Sequence, residues 1–227
     1  MERVVASDLE GTLTAGSTWR GVGRYLSEYG SKGAYRLFLY PRLPLVWLAR
    51  RGWIDVQAFR ERWMRDLTRL LGGWTEARID EMAAWVLEHE LWPERREVVI
   101  AELAAARDEG ARLILASGTY QPVLRAFAER IGAEALGTEL AYLDGRATGR
   151  FAGTMGTGEE KAARLAATLG GATLDAAYGD SAADIAMLEM ASAAVAVHPE
   201  PDLERVARAR GWRILVEPAA ASRPDPT

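Results

Sequence analysis

Cysteine is absent from the 227 residues, which removes disulfides, thiolate metal sites and a thiol nucleophile together. Histidine is nearly absent: only His89 and His198 occur, too few for a histidine-based metal centre. Lysine is just as scarce, since among 28 cationic residues only Lys32 and Lys161 are not arginine, so the setting of each bears on function. No long run of one charge sign occurs and the net charge is only −4, which argues against nucleic acid as a partner. Long apolar runs are missing too. The greasiest stretch, residues 34–48 (A-Y-R-L-F-L-Y-P-R-L-P-L-V-W-L), is too short and too interrupted by Arg and Pro to span a bilayer. Contact with a membrane surface, or a place in the wall of an apolar pocket, stays open for it. The N-terminal residues M-E-R-V-V-A-S-D lack a basic head followed by a long apolar segment, so a cytoplasmic location is the expectation.

What is present reads as a folded α/β protein. A hydrophobic share of 49% with 26% charged residues suits a globule with a substantial core. The length allows one core with a sizeable insertion, or two domains. Three short apolar runs, residues 3–7, 112–116 and 176–178, each stop abruptly at small or acidic polar residues, as strands buried on both faces of a parallel sheet do. Helical spacing marks residues 93–109, with Gly110 as a stop, and residues 121–130, 159–169 and 182–190. The alternation predicts a doubly wound, mostly parallel, Rossmann-like sheet. Asp144-Gly145, inside residues 139–151, signals a β-hairpin. Residues 14–92 carry no comparable strand run but hold seven of the eight tryptophans and helical periodicity at 54–71 and 76–89. The expectation is an inserted α-helical cap domain at 14–92, a core made of 1–13 and 93–217, and a disordered Pro-rich tail at 218–227.

In an open parallel sheet, ligands collect at the carboxyl ends of the strands, where strand order reverses. Asp8, Ser117 and Asp180 each stand at such an end, so three groups far apart in sequence should meet in one crevice. Glu10, Lys161 and Asp184 complete a set of four acids, one hydroxyl and one ammonium. Clustered carboxylates without His or Cys suit a hard cation such as Mg²⁺, and the ammonium and hydroxyl suit phosphoryl oxygens. One Asp is then free to attack phosphorus, and an acid two residues on is placed to move protons. Phosphoryl transfer fits this inventory; acyl and glycosyl transfer do not. Each residue also has a plainer reading: Ser117 as the N-cap of the helix at 121–130, and Asp184 as an ordinary helix position.

Four motifs carry a resemblance: D-L-E-G-T-L-T at Asp8–Thr14, A-S-G-T at Ala116–Thr119, Lys161 in G-E-E-K-A-A-R-L, and G-D-S-A-A-D at Gly179–Asp184. In order and spacing the chain resembles the haloacid dehalogenase superfamily, in its phosphoserine-phosphatase-like branch, subfamily IB. The resemblance implies a phosphatase working through an aspartyl-phosphate, with Asp8 as nucleophile and metal ligand and Glu10 as acid/base that also offers the metal its backbone carbonyl. It implies Ser117, Gly118, Gly11 and Thr12 around the phosphoryl group, Lys161 as the neutralising cation, and Asp180 and Asp184 at the Mg²⁺. Phosphoserine-hydrolysing relatives hold the substrate ammonium with a cap acid and its carboxylate with a cap arginine. Those positions fall on Ser17, which has no charge, and on Arg62, with Arg60 as a neighbour; Thr119 is a further substrate candidate. The expected partner is therefore a small, or lipid-like, phosphomonoester other than phosphoserine. Transfer to an alcohol such as homoserine, a membrane-surface phosphatase and a non-catalytic phosphometabolite binder stand as alternatives.

Overall fold

The computed structural model describes residues 2–42, 44, 53 and 56–217. Strand β1, Val4–Ser7, is buried along its whole length, which is why its sequence is apolar without alternation. It pairs in parallel with β2, Arg112–Tyr120, on one side and with β6, Leu174–Gly179, on the other. Strands β3 (Glu134–Thr138), β7 (Ala193–Val197) and β8 (Arg213–Leu215) extend the sheet to the order β3-β2-β1-β6-β7-β8. Every pairing in it is parallel, as the sequence reading expects. The hairpin is a separate pair, β4 (Leu140–Leu143) with β5 (Arg146–Phe151). Its turn has φ of 49° at Asp144 and 72° at Gly145, the doubly positive geometry that selects Asp-Gly.

Side-chain alternation along the strands divides the core. Val4, Ala6, Ile114 and Ala116 point to one face, where Leu165, Met187, Leu188 and Leu203 cover them. Val5, Leu113, Leu115 and Val197 point to the other. There the apolar cluster continues without a break into the segment between β1 and β2, through Leu13, Val22, Leu67, Met82 and Val86. That segment holds α1 (Thr18–Tyr29), α2 (Lys32–Leu39), α3 (Val56–Thr68) and α4 (Glu76–Val86), the last running into a π-turn at Leu87–Leu91. In it Trp74 and Trp85 each pack edge-on against Tyr25.

Boundaries differ where side chains compete with the regular pattern. Helix α5 is Glu97–Asp108, not 93–109: the backbone N–H of Arg96 donates to Leu13 at 2.8 Å, and Glu94 accepts from Ala15 at 2.9 Å, so the preceding loop is tied to the chain leaving β1. Strand β2 runs through Ser117 to Tyr120 before α6, Gln121–Ile131, so Ser117 is no helix cap. Helix α7 is Gly158–Leu169. The expected helix at 182–190 is split into a 3-10 turn, Ala182–Asp184, and a short α8, Ile185–Glu189, because the Asp184 carboxylate turns back on the main chain. Helix α9, Pro201–Arg210, precedes β8. Gly110, with φ of 88°, stops α5 as expected. The expected tail at 218–227 and, within 34–48, residues 43 and 45–48 lie outside the described residues. Among the described residues, no helix is long and apolar enough to cross a membrane.

Candidate active site

Strand order reverses at β1, and the residues following β1, those in β2 and those after β6 line one cavity of about 610 Å³. Asp8 leaves β1 with its N–H donating to Tyr178 of β6 at 3.0 Å, which fixes it at the sheet's carboxyl edge. The next turn needs glycine twice over: Gly11 has φ of 86°, and a Cβ there would lie 2.0 Å from an Asp180 carboxylate oxygen. Asp8, Glu10 and Gly11 face the cavity from this loop, and Asp180 faces it from the end of β6.

Lys161 reaches the cavity from the first turn of α7. Its Nζ donates to Asp8 Oδ1 at 2.8 Å and also to Asp184 Oδ1. The other Asp184 oxygen accepts from Asp180 N at 3.1 Å, Ser181 N at 2.9 Å and Ser181 Oγ at 3.0 Å. Asp184 thus stands behind the cavity wall, orienting Lys161 and the loop after β6. The expected ligand set is brought together in part. Carboxylate oxygens of Asp8, Asp180 and Asp184 lie within 4.8 Å of one another, but those of Asp184 are already occupied, and the Glu10 carboxylate turns to Thr119.

Thr119 Oγ1 donates to Glu10 Oε1 at 2.7 Å and lies 2.8 Å from Thr18 Oγ1. Its one proton goes to the carboxylate, so Thr18 is the donor to Thr119. A relay Thr18 to Thr119 to Glu10 therefore aims the acid from the start of α1. Ser117 and Gly118 line the cavity as expected, and a Cβ on Gly118 would lie 2.5 Å from the Thr157 methyl carbon. Thr12 does not line it: fully buried, its hydroxyl donates to Asp180 Oδ1 at 3.3 Å, so it steadies that carboxylate instead of meeting a phosphoryl group. Ser17 is at the wall. Arg62 is exposed and off the cavity, while Arg60 lines it and pairs with Glu200 at 2.8 Å. Two residues along a helix are a turn of about 200°, so only one of the two arginines faces inward.

Charge in the site is unbalanced. Burial, above all, raises the pKa of Asp8 to about 7; the nearby Asp184 and Glu10 charges add to this, and Lys161 opposes it. Burial likewise raises Asp180 to about 8, with Asp8, Asp184 and Glu200 adding to it. For Lys161, burial alone would lower the pKa, but Asp184 and Asp8 outweigh it, so the ammonium is held charged. Two buried acids and the half-buried Asp180 stand around one ammonium, and the donors are all oxygen. This set fits a hard divalent cation.

A family profile described as haloacid dehalogenase-like hydrolase matches residues 5–189. The chain belongs to this family. Two curated relatives of this haloacid dehalogenase-like hydrolase are phosphatases by name. Phosphoserine phosphatase SerB1 of Mycobacterium tuberculosis is 31% identical over 214 residues, covering 91% of this chain and 68% of its own. Histidinol-phosphatase of Neisseria meningitidis is 30% identical over 176 residues, covering 73% and 77%. A solved phosphoserine phosphatase, captured as a phospho-aspartyl intermediate analogue, matches at a TM-score of 0.65 and 18% identity, over 96% of this chain and 94% of that one; this shows a shared fold. The haloacid dehalogenase-like chain is accordingly a phosphatase of phosphoserine-phosphatase type, with a small phosphoester as its substrate class.

Sequence reasoning missed the far wall of this phosphatase's cavity, where Trp19, Phe59, Trp63, Met64 and Met155 stand with Glu61 and Thr157. The Trp19 and Trp63 rings meet edge-on at 5.4 Å, and Phe59 lies 5.6 Å from Trp63. The Trp63 indole N–H is buried without a hydrogen-bond partner. The one available signal was the tryptophan density of the insertion, which core packing explains equally well.

Proposed function

We propose that this chain is a Mg²⁺-dependent phosphomonoesterase acting through an aspartyl-phosphate on Asp8. The observation that carries the reading is the convergence of Asp8, Glu10, Ser117, Lys161 and Asp180 on one cavity, with Lys161 bonded to Asp8. Asp8 and Asp180, with the Glu10 main-chain carbonyl, would hold the Mg²⁺, whose charge stabilises the phosphoryl oxygens. Asp8 attacks phosphorus, the ester oxygen leaves, and Glu10 gives that oxygen its proton. Glu10 then takes a proton from water as the water attacks the aspartyl-phosphate, which frees Asp8 and inorganic phosphate. Lys161 offsets negative charge on Asp8 and the phosphoryl group, and the Ser117 hydroxyl and the Gly118 backbone receive phosphoryl oxygens. Residues 14–92 act as the cap over the cleft, and 1–13 with 93–217 as the core.

The substrate alcohol is read from the far wall. Relatives of similar identity bear the names of two different substrates, so kinship does not choose. Ser17 offers no charge for an ammonium group, and Arg60 already has Glu200. The aromatic and methionine wall instead favours a phosphomonoester with an apolar or flat body, since apolar contact area is what such a wall rewards. Hydrolysis of benzyl phosphate and phosphoserine with Mg²⁺, with Asp8→Asn as control, tests this. Benzyl phosphate is expected to have the higher kcat/KM, with alcohol and inorganic phosphate released one to one. A preference for phosphoserine refutes the apolar reading, and phosphate missing from solution in the presence of alcohols refutes hydrolysis in favour of transfer.

A further inference from the structure

We propose that a second cavity, walled by Arg65, Arg69 and Arg150, binds an anionic group of carboxylate or phosphate type beside the active site. The cavity measures about 530 Å³ and shares Glu61 and Met155 with the first, so the two adjoin. Its walls come from separate parts of the chain. Glu61, Arg65 and Arg69 recur at every fourth position, which places them along one stripe of α3 and the turn that ends it. Arg150 comes from β5. The two walls are held together by Gly149, whose φ is 75° and whose Cβ, if present, would lie 3.2 Å from the Arg69 Cα. A larger residue there would be strained by the positive φ and would push the Arg69 backbone away by a few tenths of an ångström.

The charges facing this space are not balanced from within. Arg69 pairs with Asp66 at 2.6 Å, but neither Arg65 nor Arg150 makes an ion pair among the described residues. Glu61, on the partition, accepts from Thr157 Oγ1 at 3.0 Å on the side of the first cavity. Guanidinium groups lining one cavity repel, and an anion bound among them reverses the sign of that interaction. The planar donor fork of Arg matches the two oxygens of a carboxylate or the oxygens of a phosphate. Two sources supply such a group: the far end of the substrate itself, reaching past Glu61 and Met155, or a separate small anion.

Two measurements on the full chain distinguish the sources, comparing wild type with the double variant Arg65→Ala, Arg150→Ala. Both side chains are exposed, so folding is not at stake. In the first, phosphomonoesters of ω-hydroxy acids of increasing length are compared with alkyl phosphates of equal length, with Mg²⁺. If the substrate supplies the anion, the acid is preferred at least tenfold in kcat/KM at one length. In the double variant that preference falls within twofold, and alkyl phosphate turnover is unchanged. In the second, succinate is titrated calorimetrically without metal. If a free anion is bound, wild type binds it and the double variant weakens binding at least tenfold. Either pattern supports the site; wild type and variant alike in both measurements overturn it. The substrate arm rests on the phosphatase reading and the succinate arm does not. Loss of all Asp8-dependent turnover would therefore refute that reading while the titration still decides the cavity.

Discussion

Removing divalent metal should uncover a stability that falls as pH rises across neutrality. With the metal chelated, Asp8 and Asp180 are buried carboxyls whose folded pKa values, about 7 and about 8, stand above the usual ~3.9 of an unfolded Asp. The folded state then binds more protons than the unfolded state at neutral pH. A group of this kind contributes stability that is fully present below about pH 4 and is lost as pH passes its folded pKa. Each such proton changes stability by about 1.4 kcal/mol per pH unit. Between pH 6 and 8 the two together withdraw about 4 kcal/mol, a large part of the ~5–15 kcal/mol that holds a domain folded. His198 acts in the opposite sense, since burial and Arg96 lower its pKa, but it is partly exposed and offsets little. The assay is urea unfolding at pH 6, 7 and 8 in chelator, repeated with saturating Mg²⁺ and with Asp180→Asn. The chelated wild type should lose stability steadily with pH, while Mg²⁺ and Asp180→Asn each flatten the profile. Stability that is level or rising from pH 6 to 8 in chelator, or a slope unchanged by Mg²⁺, would refute the charge imbalance deduced for the site.

Lys161→Met should abolish turnover and cost about 3–5 kcal/mol in urea unfolding, because it strands the buried Asp8 and Asp184 without their cation. Glu10→Ala should lower kcat by about 10²–10⁴, the usual worth of a positioned proton donor. Thr119→Val, which removes the 2.7 Å bond to Glu10, should lower kcat less than Glu10→Ala does and add no further loss when combined with it; an added loss in the double variant would show that Thr119 does not act through the acid. Gly11→Ala should weaken Mg²⁺ binding in calorimetry, since its Cβ would be driven into the Asp180 carboxylate; unchanged affinity would count against the tight loop being part of the metal site.

The half of the candidate site that lies on strand ends was legible in the sequence. A buried parallel strand must be apolar along its length, so the point where it stops is visible, and Asp8 and Asp180 stand at such points. Lys161 was conspicuous through the scarcity of lysine. Strand β7 and the edge strand β8 were not legible, because short runs such as Arg213–Leu215 carry no period of their own and are strands only through a neighbour's hydrogen bonds. The break between Ala182–Asp184 and α8 was hidden for a related reason. The Asp184 side chain takes over main-chain donors near it, a choice that depends on where Lys161 sits, 23 residues away in the chain.

Composition and spacing by themselves determined the chemistry: no thiol, almost no imidazole, four acids, one hydroxyl and one ammonium in an order that only phosphoryl transfer uses well. They also determined the doubly wound core, because burial on both faces leaves a continuous apolar signature. Tertiary structure alone decided which side chains share a cavity. It placed Arg60 rather than Arg62 inside, moved Thr12 and Asp184 behind the wall, joined Thr18 and Thr119 to Glu10, and brought Arg150 and Arg65 to one cavity. Those outcomes depend on the facing of helices whose neighbours are remote in sequence, and a local pattern fixes a helix's periodicity but not the direction in which each of its faces is turned.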